Sequence, residues 1–491
     1  FFAYDRAEYE STRGMYEDIE TYPFHYTEDA AEVIPYAHAD GGTPDEAFME
    51  KYASYEDGHG AEKICRQVFL HEDCCRQKKY TGNGKKNILL YGGDLDQNGI
   101  TSALYAMLHE LDLTKYNYFL SFRLISVKDH PERMDRIPDH IGIYPLSSEM
   151  NMDVLTGFSL MRKMRGANTN SINRRIHIAY QREWKKHFGS TDFSAVIHYN
   201  GYEAYITSLF EESPCGRTIW VHNDMADEIR TKGNQNIYLL REAYQKYDHI
   251  VTVSEDILDS TIHGIGADPA RVTVVNNCHD YQSVIKRSEE ILAFQETTKS
   301  TVSVDQLSTV LSGNDTKFIS IGRYSPEKGH VRLMNAFNTY QASHPDTWLI
   351  IIGGVGTLYE DAVAHAKSLA ASDHIILIYS MQNPMPVLKN CDLFLLSSFY
   401  EGRPIVLMEA ASLGLPLMTC DVNGCHGFMT EYHGTLTDNS EEGILHGMQL
   451  FAEGKVHPIQ IDFDKINAAS AAQTEALIKD CIHISHSERA H

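Results

Sequence analysis

At 491 residues the chain is longer than one ordinary domain; with 43% hydrophobic and 22% charged residues it can build a core and is too weakly charged for wholesale disorder. Forty-three Lys and Arg against 67 Asp and Glu give a formal net charge of −24, a surface that repels phosphate backbones and argues against a general DNA or RNA binder. Every apolar run falls far short of the ~20 residues a membrane-spanning helix needs.

Residues 1–85 form an acidic, Tyr-rich amino-terminal appendage with no period of 2 or 3.6. Residues 1–60 hold 15 acids against Arg6, Arg13 and Lys51, half of the total charge imbalance. The start at Phe1, without Met or a basic-then-apolar leader, reads as a piece of a longer protein. The nine Cys are mostly isolated, the pattern of reduced thiols in a cytoplasmic chain. Neither Cys74 with Cys75 nor Cys420, Cys425 and His426 has the paired spacing of a zinc site, so no metal is expected.

From Lys86 short apolar runs alternate with helix-length amphipathic stretches, which predicts parallel strands crossed over by helices. In residues 86–296 the predicted strands are Ile88–Tyr91, Tyr118–Ile125, Ala195–Tyr199, Thr218–His222, Ile250–Val253 and Val272–Val275. The loop Gly92 to Thr101 follows the first strand, and the absence of G-x-G-x-x-G makes a nicotinamide enzyme improbable. Residues 161–187 carry Arg162, Lys163, Arg165, Arg174, Arg175, Arg182, Lys185 and Lys186 against the single acid Glu183, with Met161, Met164 and Trp184 interleaved. That pattern suits a solvated helix face or an anionic acceptor, either lipid headgroups or a phosphate-bearing polymer.

The polar stretch 297–317 reads as a linker, after which strands restart at Phe318–Ile321, Trp348–Ile352, Ile375–Ile378, Leu393–Leu396 and Leu415–Thr419 of a second domain, 318–455. A helical tail, 456–491, closes the chain and could pack back on the first domain. Two such domains facing each other would set the carboxyl ends of both sheets, where α/β proteins bind ligands, at one cleft. Gly322, Arg323 and Lys328 lie in the turn after a strand, where the glycine permits close backbone approach and the two cations suit a diphosphate. The run Ser397 to Ala410 follows another strand: Glu401 and Gly402 fall in the turn, Pro404 suits the first helical turn, and Glu409 lies on the helix. Free N–H groups at that helix start can bind an anion or sugar hydroxyls, and both carboxylates can accept from polyols.

Gly322-Arg323 through Glu327-Lys328-Gly329, Gly353-Gly354-Val355-Gly356, Glu401-Gly402-Arg403-Pro404 through Glu409, and Gly414-Leu415-Pro416 together resemble the retaining glycosyltransferases of family four. The resemblance spans roughly residues 86–485 and implies the GT-B fold, an α/β architecture of two facing Rossmann-like domains. It implies that Arg323 and Lys328 hold and stabilise the departing diphosphate of a nucleotide sugar, a UDP-sugar, and that Glu401 sits beside the donor sugar. The donor would also touch Gly99, Gly322, Gly354, Gly402, Arg403, Pro404 and Ile405, with Glu409 on the ribose. His222 matches a histidine near the reacting sugar. Val274 to Asp280 resembles the family's strand-end Pro-Asn-Gly-Val-Asp segment, with Asn276 and Cys278 in place of the usual Pro and Gly around Asn277, so no detailed role is assigned to Asn277.

The implied activity is metal-independent, cofactor-free transfer of a hexose with retention, by front-face attack, to a glycan, polyol-phosphate polymer or lipid-linked acceptor. The overall look is similar to bacterial cell-envelope enzymes of teichoic acid or capsule synthesis, which implies a cytoplasmic protein with peripheral contact at the inner face of the membrane. The competing readings are a GT-B module without catalysis that binds a partner, and a phosphorylase or epimerase on the same fold.

Overall fold

The computed structural model describes residues 2–12, 18–37, 45–54, 57–70, 72 and 83–484, apart from 97, 129, 149, 234, 296, 297, 355 and 403. The chain divides into two compact units, Phe1–Asn83 and Gly84–His491.

The first unit contains helices α1 (Arg6–Thr12), α2 (Ala30–Ala37), α3 (Glu46–Tyr52) and α4 (Gly60–Phe69). Its aromatic excess is used for packing: Phe48 lies edge-on to Tyr22 and Phe24 and stacks at a tilt on Tyr52, with centroids 4.7–5.7 Å apart. Arg6 collects part of its acid excess, lying 2.7 Å from Glu10 and 3.4 Å from both Asp18 and Glu20.

The second unit holds two parallel sheets. The first has β1 (Lys86–Tyr91), β2 (Tyr116–Ser121), β3 (Gly142–Ile143), β4 (Phe193–His198), β5 (Gly216–Val221), β6 (His249–Thr252) and β7 (Val272–Val274), in the order β3-β2-β1-β4-β5-β6-β7. Helices α5 (Gly99–Glu110), α6 (Leu124–Lys128), α7 (Val154–Met164), α8 (Asn170–Phe188), α9 (Ala204–Phe210), α10 (Met225–Lys232) and α11 (Ile237–Lys246) accompany it, and α12 (Tyr281–Ser288) leads on to the second domain. The second sheet has β8 (Thr316–Ile321), β9 (Thr347–Ile352), β10 (Ile375–Ile378), β11 (Leu393–Leu396), β12 (Leu417–Cys420) and β13 (Thr435–Thr437), in the order β10-β9-β8-β11-β12-β13. Its helices are α13 (Val304–Ser312), α14 (His330–Gln341), α15 (Tyr359–Ser368), α16 (Met385–Lys389), α17 (Ile405–Ser412), α18 (His426–Glu431), α19 (Glu441–Ala452) and α20 (Phe463–His483). Central strands such as Ile88–Tyr91 and Leu349–Ile352 are buried on both faces, which is why they read as unbroken apolar runs.

Strand order reverses between β1 and β4 in one sheet and between β8 and β11 in the other. Ligands of open parallel sheets bind at such switch points, beyond the carboxyl ends of the strands.

Four details differ from the sequence reading. The ladder of β2 stops at Ser121, and Leu124 already begins α6, so Tyr118–Ile125 is not one strand. Strands β3 and β13, of two and three residues, are too short to carry a pattern. The stretch 297–317 is not a linker: Ser303 and Gln306 form a capping box that starts α13, Leu307 is fully buried, and Thr316 already pairs in β8. Val284 of α12 also belongs to the second core, so that core begins before residue 297. The tail follows the sequence expectation of packing on the first domain: α20 leaves the second domain, and its Leu477, Ile478 and Cys481 enter the core of the first. Gly216 permits that approach, since a Cβ there would lie 2.3 Å from the Cys481 carbonyl oxygen.

Candidate active site

The loops after β8 and β11, the two strands at the switch point, are tied together by backbone. Phe399 N–H donates to the Glu327 carbonyl at 2.7 Å, and Ser397 Oγ donates to the Lys328 carbonyl at 2.9 Å. Arg332, from the first turns of α14, donates to the carbonyls of Ser397 and Ser398. Gly329 makes the junction possible: its φ of 64° is left-handed, and a Cβ would lie 2.4 Å from the Ser397 carbonyl.

Within this frame Lys328 Nζ lies 2.5 Å from Glu401 Oε1, and Ser398 Oγ donates to the same oxygen at 2.5 Å. The Lys328 and Glu401 side chains are only 15% and 10% exposed. Arg323 is 58% exposed, with its guanidinium 3.4 Å from Glu327. The loop after β9 closes over it: a Cβ on Gly353 would meet the Tyr324 ring at 2.3 Å, one on Gly356 the Tyr324 carbonyl at 2.5 Å, and one on Gly354 the Arg323 side chain at 3.7 Å. One fixed and one reachable cation thus stand at the open end of the second sheet, beside the start of α17. Pro404 is the N-cap of that helix and Ile405 its first residue. Arg403 lies outside the described residues, as do Val355, Cys74 and Cys75.

The first domain meets this site closely. His222 directly follows β5, and its carbonyl would be 1.8 Å from a Cβ on Gly402, so no residue larger than glycine fits the observed approach. Ser254 Oγ donates to the Gly402 carbonyl at 3.1 Å, and both oxygens of Asp256 accept from Gly427 N–H. The His222 ring is buried, donates from Nε2 to the Tyr199 carbonyl at 2.6 Å, and leaves Nδ1 without a hydrogen-bond partner among the described residues. Burial pushes its pKa down to about 4, so the ring is neutral and Nδ1 is an acceptor. Gly99, the first residue of α5, faces α17: its added Cβ would be 3.2 Å from Ile405 Cγ1. Glu409 is held on α17 with its pKa raised by burial, against the opposing fields of Arg287 and Arg136.

Arg323, Lys328, Glu401, His222, Gly99, Gly322, Gly354, Gly402, Pro404, Ile405 and Glu409 therefore lie on converging loops and helix starts of the two sheets. The basic segment divides instead. Arg162, Arg165, Arg174, Arg175, Lys185 and Lys186 are exposed on α7 and α8, although Lys186 pairs with the buried Glu183. Lys163 is not a surface contact: it is buried, 2.5 Å from Glu242 and 3.0 Å from Asn173. Among the described residues, no group of three or more His, Cys, Asp or Glu is arranged to hold a metal.

The sequence did not single out a cluster on the first domain. Glu203, at the start of α9, accepts from Tyr91 at 2.5 Å and from Arg123 at 2.7 Å, and burial raises its pKa. Nearby, Gly93 packs under Asn200 and Leu95 is held at a φ of 54°, unusual for a leucine. Only the fold brings these positions together at the ends of β1, β2 and β4; no local pattern marks Glu203.

Residues 305–457 match the family model "Glycosyl transferases group 1", and residues 1–70 match "CDP-Glycerol:Poly(glycerophosphate) glycerophosphotransferase". Among curated relatives, an uncharacterized glycosyltransferase of Methanocaldococcus jannaschii is 26% identical over 208 residues, 41% of this chain and 47% of the relative. The N-acetylgalactosamine-N,N'-diacetylbacillosaminyl-diphospho-undecaprenol 4-alpha-N-acetylgalactosaminyltransferase of Campylobacter jejuni is 24% identical over 222 residues, 44% of this chain and 54% of the relative. The chain thus spans about half the length of the curated relatives it matches. Among solved structures, Anabaena HepE in complex with UDP and glucose superposes with a TM-score of 0.54 at 13% identity, covering 82% of this chain and 96% of that one. The lipopolysaccharide glycosyltransferase WaaG gives 0.51 at 14% identity, covering 81% and 99%. The second unit therefore has the GT-B fold, and its residues 305–457 are similar to the glycosyl transferases group 1 family.

Proposed function

We propose that the chain is a retaining glycosyltransferase that moves a hexose from a UDP-sugar to a polyol-phosphate polymer of the bacterial cell envelope, of the teichoic acid type. The observation that carries the transferase reading is the buried Lys328–Glu401 pair in the β8–β11 crevice, with Arg323 beside it and the His222 loop against Gly402. Departure of a nucleoside diphosphate develops negative charge on the bridging oxygen, and preorganised cations stabilise that charge where water is scarce. Lys328 would turn from Glu401 toward the diphosphate and Arg323 would close on it. Glu401, released, would accept from sugar hydroxyls, and Glu409 from the ribose. Neutral His222 offers Nδ1 to a sugar hydroxyl.

Retention fits front-face attack, in which the acceptor hydroxyl approaches on the side from which the diphosphate leaves and the departing phosphate takes its proton. Of the carboxylates on the first domain, Glu203 is engaged by Arg123 and Tyr91, which suits acceptor binding better than a free nucleophile. HepE, a structural neighbour, was solved with UDP and glucose, which supports a UDP-sugar donor. The match of residues 1–70 to a poly(glycerophosphate)-forming family supports a glycerophosphate polymer as acceptor, because an enzyme making that backbone and one decorating it share a substrate.

The test is incubation with labelled UDP-hexoses and synthetic glycerophosphate oligomers, with the anomeric configuration of the product read by NMR. An α-linked glycosyl oligomer from an α-linked donor supports the reading. Transfer with inversion, or transfer only to a neutral glycan, would sink the mechanism or the acceptor respectively.

A further inference from the structure

Helix α7 is built inside out. Beside Leu160, which is partly buried against the core, the side chains it buries fully are Thr156, Ser159 and Lys163, each with a polar partner: Thr156 Oγ1 on Asp153 at 2.6 Å, Ser159 Oγ on the Leu155 carbonyl at 2.8 Å, and Lys163 on Glu242 at 2.5 Å. The side it gives to solvent carries Val154, Leu155, Phe158 and Met161, exposed by 87%, 61%, 56% and 52%. These positions fall on one helical face, which continues at Arg162 and Arg165. Because the inner polar atoms are paired and Lys163 is anchored from α11, the helix cannot roll its apolar side inward without stranding a buried charge.

Large apolar side chains gathered on one exposed face mark an interaction site rather than ordinary surface. Arg162 and Arg165 close this face and the adjoining α8 exposes Arg175, cations on a protein whose net charge is −24, whereas Arg174 lines a pocket with Glu211, Glu212 and Glu242. A soluble phosphate polymer would account for the arginines and leave the apolar side chains in water. An anionic lipid surface accounts for both, with hydrocarbon for Phe158 and its neighbours and headgroup phosphates for the arginines. At 11 residues, about 16 Å long, α7 is too short to span a bilayer and long enough to lie in its interface.

We infer that α7 seats the enzyme on an anionic membrane surface through Val154, Leu155, Phe158 and Met161, with Arg162 and Arg165 at the headgroups. Helix α7 follows β3 in the chain and packs on α8 and α11 of the first domain. Seating it would hold the first domain against a membrane surface. This goes beyond the proposed reaction and does not depend on it.

The experiment is flotation of the full chain with phosphatidylcholine vesicles and with vesicles containing 30% phosphatidylglycerol. Binding is expected only to the second, weakening with salt. Leu155→Glu with Phe158→Glu should lower that binding at least tenfold, with unchanged melting temperature and unchanged turnover on soluble substrates. Arg162→Gln with Arg165→Gln should remove most of the preference for phosphatidylglycerol. Phe158→Trp should show a blue-shifted emission with anionic vesicles alone. Absence of flotation, unaltered binding by the Glu variant, or an unshifted Trp overturns the inference. So does a dimer in solution that the Glu variant dissociates, since a second copy would then cover the face.

Discussion

Lys328→Met removes the cation from a pair whose Nζ to Oε1 distance is 2.5 Å and whose side chains are 15% and 10% exposed. What remains is a nearly buried Glu401 carboxylate with Ser398 Oγ as its hydrogen-bond donor. Stripping one partner from a buried ion pair costs about 3–5 kcal/mol, and the residual exposure argues for the lower end, about 3 kcal/mol. At about 2 °C per kcal/mol for a domain of this size, the melting temperature should fall by about 6 °C. The catalytic loss is separate: a preorganised charge missing from the departing diphosphate corresponds to about 10²–10³ in kcat. The double variant Lys328→Met with Glu401→Gln distinguishes the two effects. It carries no buried charge, so stability should return to within about 1 kcal/mol of wild type while turnover stays lost. Thermal unfolding and nucleoside diphosphate release measure both. If the single variant keeps wild-type kcat, the pair is structural and the reasoning fails. If the double variant stays as unstable as the single one, the electrostatic account of the pair is wrong.

Gly402→Ala should lower kcat at least about 10²-fold with little change in the fold of the second domain, because the methyl would enter the His222 carbonyl and push the two loops apart; a crystal or scattering comparison showing an unchanged cleft with full activity would refute this. Glu409→Gln should raise KM for the donor about 10–100-fold, the worth of a charged hydrogen bond to a ribose hydroxyl, at nearly constant kcat; equal effects with a donor lacking the ribose hydroxyls would remove that role. Acid should destabilise the protein early. Burial depresses His222 to about 4 and His198, His279 and His330 to about 3, so their contribution is complete above the unfolded value near 6.5 and is lost as pH falls toward the folded values. Each costs at most about 2 kcal/mol at pH 5, offset in part by Glu211, which burial raises to about 7 and whose sign is opposite. A melting temperature that is flat from pH 7 to 5 would contradict neutral, buried rings.

The two sheets are legible in the sequence because strands buried on both faces leave unbroken apolar runs such as Leu349–Ile352, and the second domain's site is legible because its residues lie in turns directly after such runs. Helix α13 is hidden for the opposite reason. Its outer positions are Asp305, Ser308, Thr309 and Ser312, and that polar face obscures the Leu307, Val310 and Leu311 stripe which packs inward. Lys163 looks like one more surface cation until the fold supplies Glu242 from α11, and Glu203 is silent until β1, β2 and β4 bring Tyr91 and Arg123 to it. The apolar face of α7 shows the same limit: its pattern is that of an ordinary amphipathic helix, and only burial reveals which side faces out.

The most direct test of the central claim is a thermal-shift and turnover screen of nucleotide sugars, with wild type beside Lys328→Met and Glu401→Ala, following nucleoside diphosphate release. The account predicts that one donor stabilises wild type and is turned over by it alone. A chain that no donor stabilises, with both variants indistinguishable from wild type, would show the crevice between β8 and β11 to be inert.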